Sequence, residues 1–332
     1  MNSIKKIISI LFSITVLTTF YSCERDEIIE PEDTTPKYMF SQYQLDKAIV
    51  ETNTTNVATG FETVFSELIS DSTNRARFSQ KFVDAARFYN DNSGYFFVET
   101  LEDAWVVATI NHDHIGTSRI NIQDINGKYF IQEIVETVRY KGSGFVEYYR
   151  ENPSTGSIDR KLSFVTLIPS ANWFIGTGFY GDPPEKLHEP FDAQKEILLQ
   201  VTSTMAKGIS GILDSIYTDE NDRIEFCRTM VDHIRFFDNG SGYFFITDFN
   251  GINIAHGIDA SLQGQNNYDL QDNQGVYIIR DMINITKNSG SGYYQYYWNN
   301  PSTGIEQKKV IYVIRIPNTD YFIGSGFYIN CY

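Results

Sequence analysis

Residues 290–304 read GSGYYQYYWNNPSTG, and residues 142–156 read GSGFVEYYRENPSTG. The two stretches start 148 positions apart (290 minus 142), and the whole chain aligns with itself at this offset without a gap. Phe174–Tyr180, for example, falls on Phe322–Tyr328. Because loop lengths change readily, an unbroken register indicates two copies of one folded unit. A period near 150 residues is a domain length, so we predict a tandem duplication of a domain.

Each copy begins with helical periodicity and continues with strand periodicity. In the second copy, apolar residues recur at three- and four-residue spacing from Ile197 to Ile216, and a second helix is predicted over about Arg223–Phe237. A short later helix is predicted over Val276–Thr286. The predicted strands are Tyr243–Thr247, Gly251–His256, Gly292–Trp298, Gln307–Ile314 and Tyr321–Tyr328. This order predicts an α+β fold in which helices cover one side of a mostly antiparallel sheet.

The first 23 residues are typical of a secretory signal. Lys5 and Lys6 precede an apolar run that ends at Ser22 and Cys23. This arrangement resembles a bacterial lipoprotein signal, in which Cys23 becomes the lipidated N-terminus, although Phe20 stands where that signal usually has Leu. Residues 24–40 are acidic and read as a solvated tether. By analogy, Glu24 favours delivery to the outer membrane, at its periplasmic face or on the cell surface.

The chain carries 42 acidic and 27 basic residues and a formal net charge of −15. This charge argues against nucleic acids and anionic lipid surfaces as partners. It excludes little about small ligands, because one basic side chain inside a pocket outweighs distant surface charge.

The motifs of each copy, in their order, resemble the Cache domain, an extracytoplasmic sensing module related to PAS domains, and most closely its second subtype. The residues that carry the resemblance in the second copy are Gly242–Ile246, Ala255–Gly257, Asp272, Gly275, residues 290–298, Lys309, Tyr312, Val313 and Tyr321–Tyr328. The resemblance implies two tandem PAS-like Cache domains, over residues 41–182 and 191–332, joined by a linker at 183–190. It also implies binding of a small carboxylate or similar metabolite without catalysis.

Three features depart from the Cache pattern. The family usually has His-Pro where this chain has His256-Gly257, and the first copy has Ala108 at the position of this histidine. The first copy also has Arg150 where the second has Trp298. Each copy has its own pair of helices, which indicates two single Cache units in series.

Strand alternation places a set of side chains on shared faces that would form an aromatic cup with a few polar groups. In the second copy these are Tyr243, Phe245, His256, Tyr296, Trp298 and Lys309, and in the first copy Tyr95, Phe97, Tyr148, Arg150 and Lys161. Such a cup suits a small organic acid, because the cation meets the carboxylate and the rings exclude water. The second copy keeps more of the family pattern, so we expect the principal site there. The same rings are also typical of a core.

We identify no pattern for a metal, a cofactor or an enzyme. His112 and His114 are expected to share a strand face, but the second copy has no histidine at the matching positions and no cysteine or third histidine is nearby. The glycine pairs lead into strands rather than helices, so they are not phosphate loops.

Two functions therefore remain open. One is a lipid-anchored, extracytoplasmic small-molecule binding protein acting through a separate membrane receptor or transporter. The other is a structural or assembly lipoprotein that uses its helices as spacers or to form a homodimer.

Overall fold

The structure, a computed structural model, describes residues 39–237 and 239–329. The predicted signal peptide with Cys23 lies outside these residues, as does the tether up to residue 38. No described helix is long and apolar enough to cross a membrane.

The first repeat is a pair of helices followed by a five-stranded sheet. Its helices are α1 (Gln42–Glu67), α2 (Ser72–Ala85) and α3 (Phe130–Lys141), and its strands are β2 (Phe97–Thr100), β3 (Val106–Ala108), β4 (Ser143–Glu151), β5 (Ile158–Ile168) and β6 (Trp173–Tyr180). The strands lie in the order β3-β2-β6-β5-β4, and every neighbouring pair is antiparallel. Ser41 begins α1 with a capping box, because its side chain accepts from the Gln44 backbone and Gln44 caps Ser41 in return.

The second repeat has the same elements in the same order. Its helices are α4 (Pro190–Leu213), α5 (Glu220–Val231) and α6 (Ile278–Ser289), and its strands are β8 (Phe244–Asp248), β9 (Asn253–His256), β10 (Ser291–Asn299), β11 (Glu306–Arg315) and β12 (Tyr321–Ile329). The strand order β9-β8-β12-β11-β10 matches that of the first sheet element by element. The predicted α+β fold, with an antiparallel sheet and N-terminal helices in each repeat, is therefore confirmed.

The glycines of the repeated stretch end a helix and start a strand. Gly142 and Gly290 follow α3 and α6 with φ angles of 78° and 76°, a conformation that glycine adopts without a steric penalty. Two residues later, Gly144 and Gly292 lie against the helix that has just ended. A Cβ atom there would come within 2.7 Å of Thr137 and 2.8 Å of Ile285, respectively. The repeated sequence thus encodes a tight helix-to-strand reversal.

The two repeats pack against each other through their N-terminal helices. Helix α1 contacts α4 and α5, and α2 contacts α4. Phe78 and Phe226 meet across this seam with ring centroids 5.9 Å apart. Gly208 of α4 lies directly beneath the Phe82 ring, so that a Cβ atom there would overlap it. One hydrophobic core cluster runs through both repeats, and each repeat also has a smaller cluster of its own. The helix faces that we expected to be available for a homodimer are thus covered within one chain.

Within the predicted linker at 183–190, β7 (Leu187–His188) pairs with β1 (Phe40–Ser41). Two local predictions are wrong. The second helix of repeat two ends at Val231 rather than Phe237, because the backbone of Phe236 exchanges hydrogen bonds with Gly242 at 3.0 and 2.9 Å. His112–His114 forms a short 3₁₀ turn capped by Asn111 and not a strand.

Candidate functional site

A cavity of about 590 Å³ lies at one end of the first sheet. Four residues predicted from strand alternation line it: Tyr95, Phe97, Tyr148 and Arg150. The remaining lining residues are Thr109, Ile110, Asn111, His112, His114, Arg119, Ile131, Glu151 and Pro153. The wall therefore combines aromatic rings with two guanidinium groups and two imidazoles.

Strand β4 supplies the cavity with Tyr148 and Arg150. The Tyr148 ring stacks on Phe130 of α3 at 4.3 Å, and its hydroxyl lies 2.9 Å from the Ser163 Oγ. These contacts fix the ring and point the next residue on the same face, Arg150, into the cavity mouth.

Arg119 lies on the loop that follows β3 and forms an ion pair with Glu99 of β2. The Arg119 Nη1 and Glu99 Oε1 atoms are 2.8 Å apart, and both side chains are buried. Burial raises the pKa of Glu99, although the charges of Arg119 and Arg150 oppose the rise. The pair holds a guanidinium against the cavity, and Glu99 neutralises only part of the positive charge there.

Lys161 of β5 lies behind the aromatic wall and does not itself line the cavity. Its Nζ is 3.9 Å from the ring centroid of Tyr95 and 4.9 Å from that of Tyr180. The side chain is fully buried, and its Nζ makes no hydrogen bond within the described residues. Burial lowers its pKa. The predicted residues of repeat one thus come together, with Lys161 one layer deeper than the rest.

The predicted residues of repeat two also come together, and they pack on one another. The Lys309 Nζ lies 3.8 Å from the ring centroid of Tyr243 and, like that of Lys161, has no hydrogen-bond partner among described residues. The Tyr243 and His256 rings are 5.2 Å apart, and Tyr296 meets Trp298 at 6.0 Å.

His256 is held as a neutral ring in this cluster. Its Nδ1 accepts a hydrogen bond of 2.9 Å from the backbone N–H of Asp259. Burial, followed by the nearby Lys309, lowers the pKa of His256 to about 4. Phe245 pairs with His256 across strands β8 and β9 and lies in the same core cluster as Tyr296. The six residues form a compact aromatic cluster around one amine.

Strand alternation does not predict Arg119, Thr109 and Asn111 as site residues, and the sequence pattern suggests His112 and His114 only as candidate metal ligands. The 148-residue offset contains a signal for Arg119, because Glu99 and Arg119 align with Thr247 and Asn267. A charge pair in one repeat that becomes a neutral pair in the other indicates a different local chemistry. No group of three potential metal ligands occurs among the described residues.

Two family models match the chain, one in each repeat. The model for single Cache domain 2 matches residues 47–183, and a Cache domain model of the double type matches residues 225–332. The sensor histidine kinase MctS of Rhizobium johnstonii is 29% identical over 136 residues, which are 40% of this chain and 28% of that protein. The match therefore spans less than a third of the curated relative.

Solved structures with likeness to this chain include chemotaxis proteins. A methyl-accepting chemotaxis protein from Vibrio parahaemolyticus is 30% identical over 42% of this chain and 91% of its own, with a TM-score of 0.37. A Cache chemosensory domain described for its carboxylic acid recognition is 25% identical over 42% of this chain and 96% of its own, with a TM-score of 0.38. With a family model matched in each repeat, the chain belongs to the Cache family and consists of Cache sensor domains in tandem.

Proposed function

We propose that this protein is an extracytoplasmic sensor whose first repeat binds a small carboxylate. Cache domains are ligand-sensing modules, and this supports small-molecule sensing outside the cytoplasm. The observation that carries the proposal further is the cavity of about 590 Å³ beside Arg150, Arg119 and the two histidines.

The chemistry of the cavity favours an anion. Arg150 and Arg119 each present a planar fork of donors, which matches a carboxylate in two hydrogen bonds. Glu99 pairs with Arg119, and Glu151 adds a second carboxylate to the wall, so the anion would be held by the guanidinium forks and not by an excess of positive charge. Tyr95, Phe97 and Tyr148 would enclose the carbon skeleton and exclude water.

We favour repeat one over repeat two, which the sequence pattern favoured. In repeat two Trp298 takes the place of Arg150, and its ring packs on Tyr296. The second cluster retains Lys309 as its amine, but burial lowers the pKa of this group well below its usual value. An amine whose charged form is disfavoured by burial attracts a carboxylate less than a guanidinium does.

The test is a thermal-shift screen of small mono- and dicarboxylates on the chain from Glu24 onward, followed by calorimetry on any hit. A ligand at 100 times its dissociation constant raises the free energy of unfolding by about 2.7 kcal/mol. Arg150→Trp copies the residue of repeat two into repeat one and should abolish the shift. Trp298→Phe changes the matching position of repeat two and should leave it intact.

Two outcomes contradict the proposal. One is that no carboxylate stabilises the protein. The other is that a hit survives Arg150→Trp but is lost in Lys309→Met, which would assign binding to repeat two.

We further propose that Cys23 carries a lipid anchor and that the ligand state is communicated to a separate membrane receptor or transporter. The support is the apolar run that ends at Ser22-Cys23. In the native host, Cys23→Ser should abolish incorporation of labelled palmitate and release the protein from the membrane fraction. Retention of the label in this variant would refute the anchor.

A structural or assembly role is the second candidate. It is favoured by the hydrophobic core cluster to which both repeats contribute residues. A spacer of this kind would keep its in vivo role when Arg150 is changed, whereas a sensor would lose its response.

A further inference from the structure

A second cleft, of about 520 Å³, lies at the seam between the repeats, away from the repeat-one cavity. One wall is α1, through Ala48, Glu51, Thr52, Thr55 and Asn56. The opposite wall comes from the second repeat. It consists of Gln194 and Ile197 of α4, Arg235, Phe236, Phe237, Asn239 and Ser241 after α5, and Phe327 and Tyr328 of β12. The cleft exists only because the two repeats pack against each other.

Asn56 is the unexplained group in this cleft. It is 2% exposed, and neither its amide nitrogen nor its amide oxygen makes a hydrogen bond within the described residues. A buried carboxamide without partners destabilises a protein by about 1–3 kcal/mol. A side chain that carries this cost on the wall of a cleft indicates that its partner is a molecule from outside the chain.

The residues that align with Asn56 and its neighbour Thr52 at the 148-residue offset do form hydrogen bonds. Asn56 aligns with Thr204 of α4, whose hydroxyl donates to the Gln200 carbonyl at 2.7 Å. Thr52 aligns with Gln200, whose Oε1 accepts from the Tyr89 backbone N–H at 3.1 Å. On that side a long amide, Gln200, bridges the seam. On the Asn56 side the matching residue is the shorter Thr52, which lines the cleft.

The ligand chemistry follows from the walls. Phe236, Phe237, Phe327 and Ile197 offer an apolar surface, and the exposed Glu51 and Arg235 contribute one charge of each sign. Arg235 already donates to the carbonyls of Asp232 and Ile234 at 2.7 Å. The walls therefore favour a ligand that carries no net charge. Asn56 offers a donor and an acceptor side by side, which complement the C=O and N–H of another amide.

We propose that this seam cleft is a second binding site, specific for a small uncharged molecule that carries an amide group on an apolar body. Asn56 pairs with the ligand amide, and the phenylalanine rings cover the apolar body. Because residues of both repeats form the walls, ligand in this site favours the packed arrangement of the two repeats.

The experiment measures binding of the probe 3-phenylpropanamide by saturation-transfer NMR. The sample is the chain from Glu24 onward, which includes both repeats. Small probes of this kind bind in the millimolar range, so titration up to about 10 mM is sufficient. We expect binding to the wild type and a loss of about tenfold or more in Asn56→Leu. The N,N-dimethyl derivative of the probe lacks both N–H donors and should bind the wild type about tenfold more weakly.

Asn53→Leu is the matched control. Asn53 lies one turn earlier on α1, is also buried and has an unpartnered amide nitrogen, but it does not line the cleft. This variant should bind the probe as the wild type does. Both variants should remain folded, since each removes an unsatisfied polar group. Absence of probe binding, equal binding of the dimethyl derivative, or unchanged binding in Asn56→Leu would each overturn the proposal. None of these outcomes bears on carboxylate binding in repeat one.

Discussion

The Nζ of Lys309 lies 3.8 Å from the ring centroid of Tyr243, and the Nζ of Lys161 lies 3.9 Å from that of Tyr95. The second pair is the image of the first, 148 positions earlier in the chain. Each repeat thus buries one amine against a tyrosine face without a hydrogen-bond partner among the described residues. Duplication has preserved an arrangement that costs stability, which is typical of a position kept for function or for a shared ancestral role.

Lys309→Met should raise the free energy of unfolding by about 1 kcal/mol or more, because it replaces an unpartnered buried amine with an apolar chain of similar length. Urea denaturation measures this change. The gain should shrink toward pH 10, where the unfolded lysine also loses its proton. The exposed Lys81 of α2 provides the control, since Lys81→Met should change stability by less than about 0.5 kcal/mol. A loss of stability in Lys309→Met would instead indicate a charged amine held by the ring faces.

Asp46 should make the protein less stable as the pH rises from 4 to 6. Burial raises the pKa of Asp46 to about 6, an effect that the hydrogen bond from Gln42 opposes and the charge of Glu196 reinforces. The folded state therefore holds a proton that the unfolded state has already released, and this contribution is lost as the pH passes 6. One pKa unit corresponds to about 1.4 kcal/mol, so a rise of about two units corresponds to about 3 kcal/mol.

Denaturation of Asp46→Asn between pH 4 and 7 tests this expectation. The difference in stability between variant and wild type should grow in favour of the variant as the pH rises through this range. A difference that is independent of pH would show that Asp46 ionises normally in the folded protein.

His256 should change the pH dependence of stability in the direction opposite to that of Asp46. Its pKa is lowered to about 4 by burial and by Lys309, so the folded state excludes a proton that the unfolded chain takes up below about pH 6.5. Stability from this group is present above pH 6.5 and is lost as the pH falls toward 4. His256→Gln should flatten that loss, whereas the exposed His233 at the end of α5 gives the control variant His233→Gln with an unchanged slope. Equal slopes for all three proteins would contradict the prediction.

Gly208→Ala should destabilise the protein although alanine favours helices. The new methyl group would overlap the Phe82 ring across the seam, and overpacking costs about 1–3 kcal/mol, more than the roughly 1 kcal/mol that helix propensity returns. Thermal denaturation measures the net loss. Phe82→Leu in the same chain should recover part of it by making room, and failure of this rescue would show that the contact is not the cause.

The sequence predicted the sheets well because strand periodicity and the 148-residue offset reinforce each other. Predicted and observed strands of the second repeat differ by at most two residues at either end, as Gly251–His256 against Asn253–His256 shows. The pairing of β1 with β7 was not predictable, since two-residue strands carry no periodicity. The seam was not predictable either, because an apolar helix face does not specify which partner covers it.

The candidate site was predicted in part for a related reason. Strand alternation identifies which side chains share a face, and so Tyr148 and Arg150 were found. Arg119 lies on a loop, where no periodicity exists, and its ion pair with Glu99 depends on how that loop folds back over β2. Whether a cup remains open depends on rotamers, and the sequence pattern does not encode these.

The short pairing of β1 with β7 has a consequence for how the protein responds to a pulling force. Phe40 and Ser41 pair with His188 and Leu187, and the Gln42 backbone N–H donates to the Lys186 carbonyl at 2.8 Å. A force applied through the segment before Met39 therefore reaches the junction of the two repeats before it reaches either sheet. This two-residue pairing would separate first under such a force, while the two five-stranded sheets remain intact.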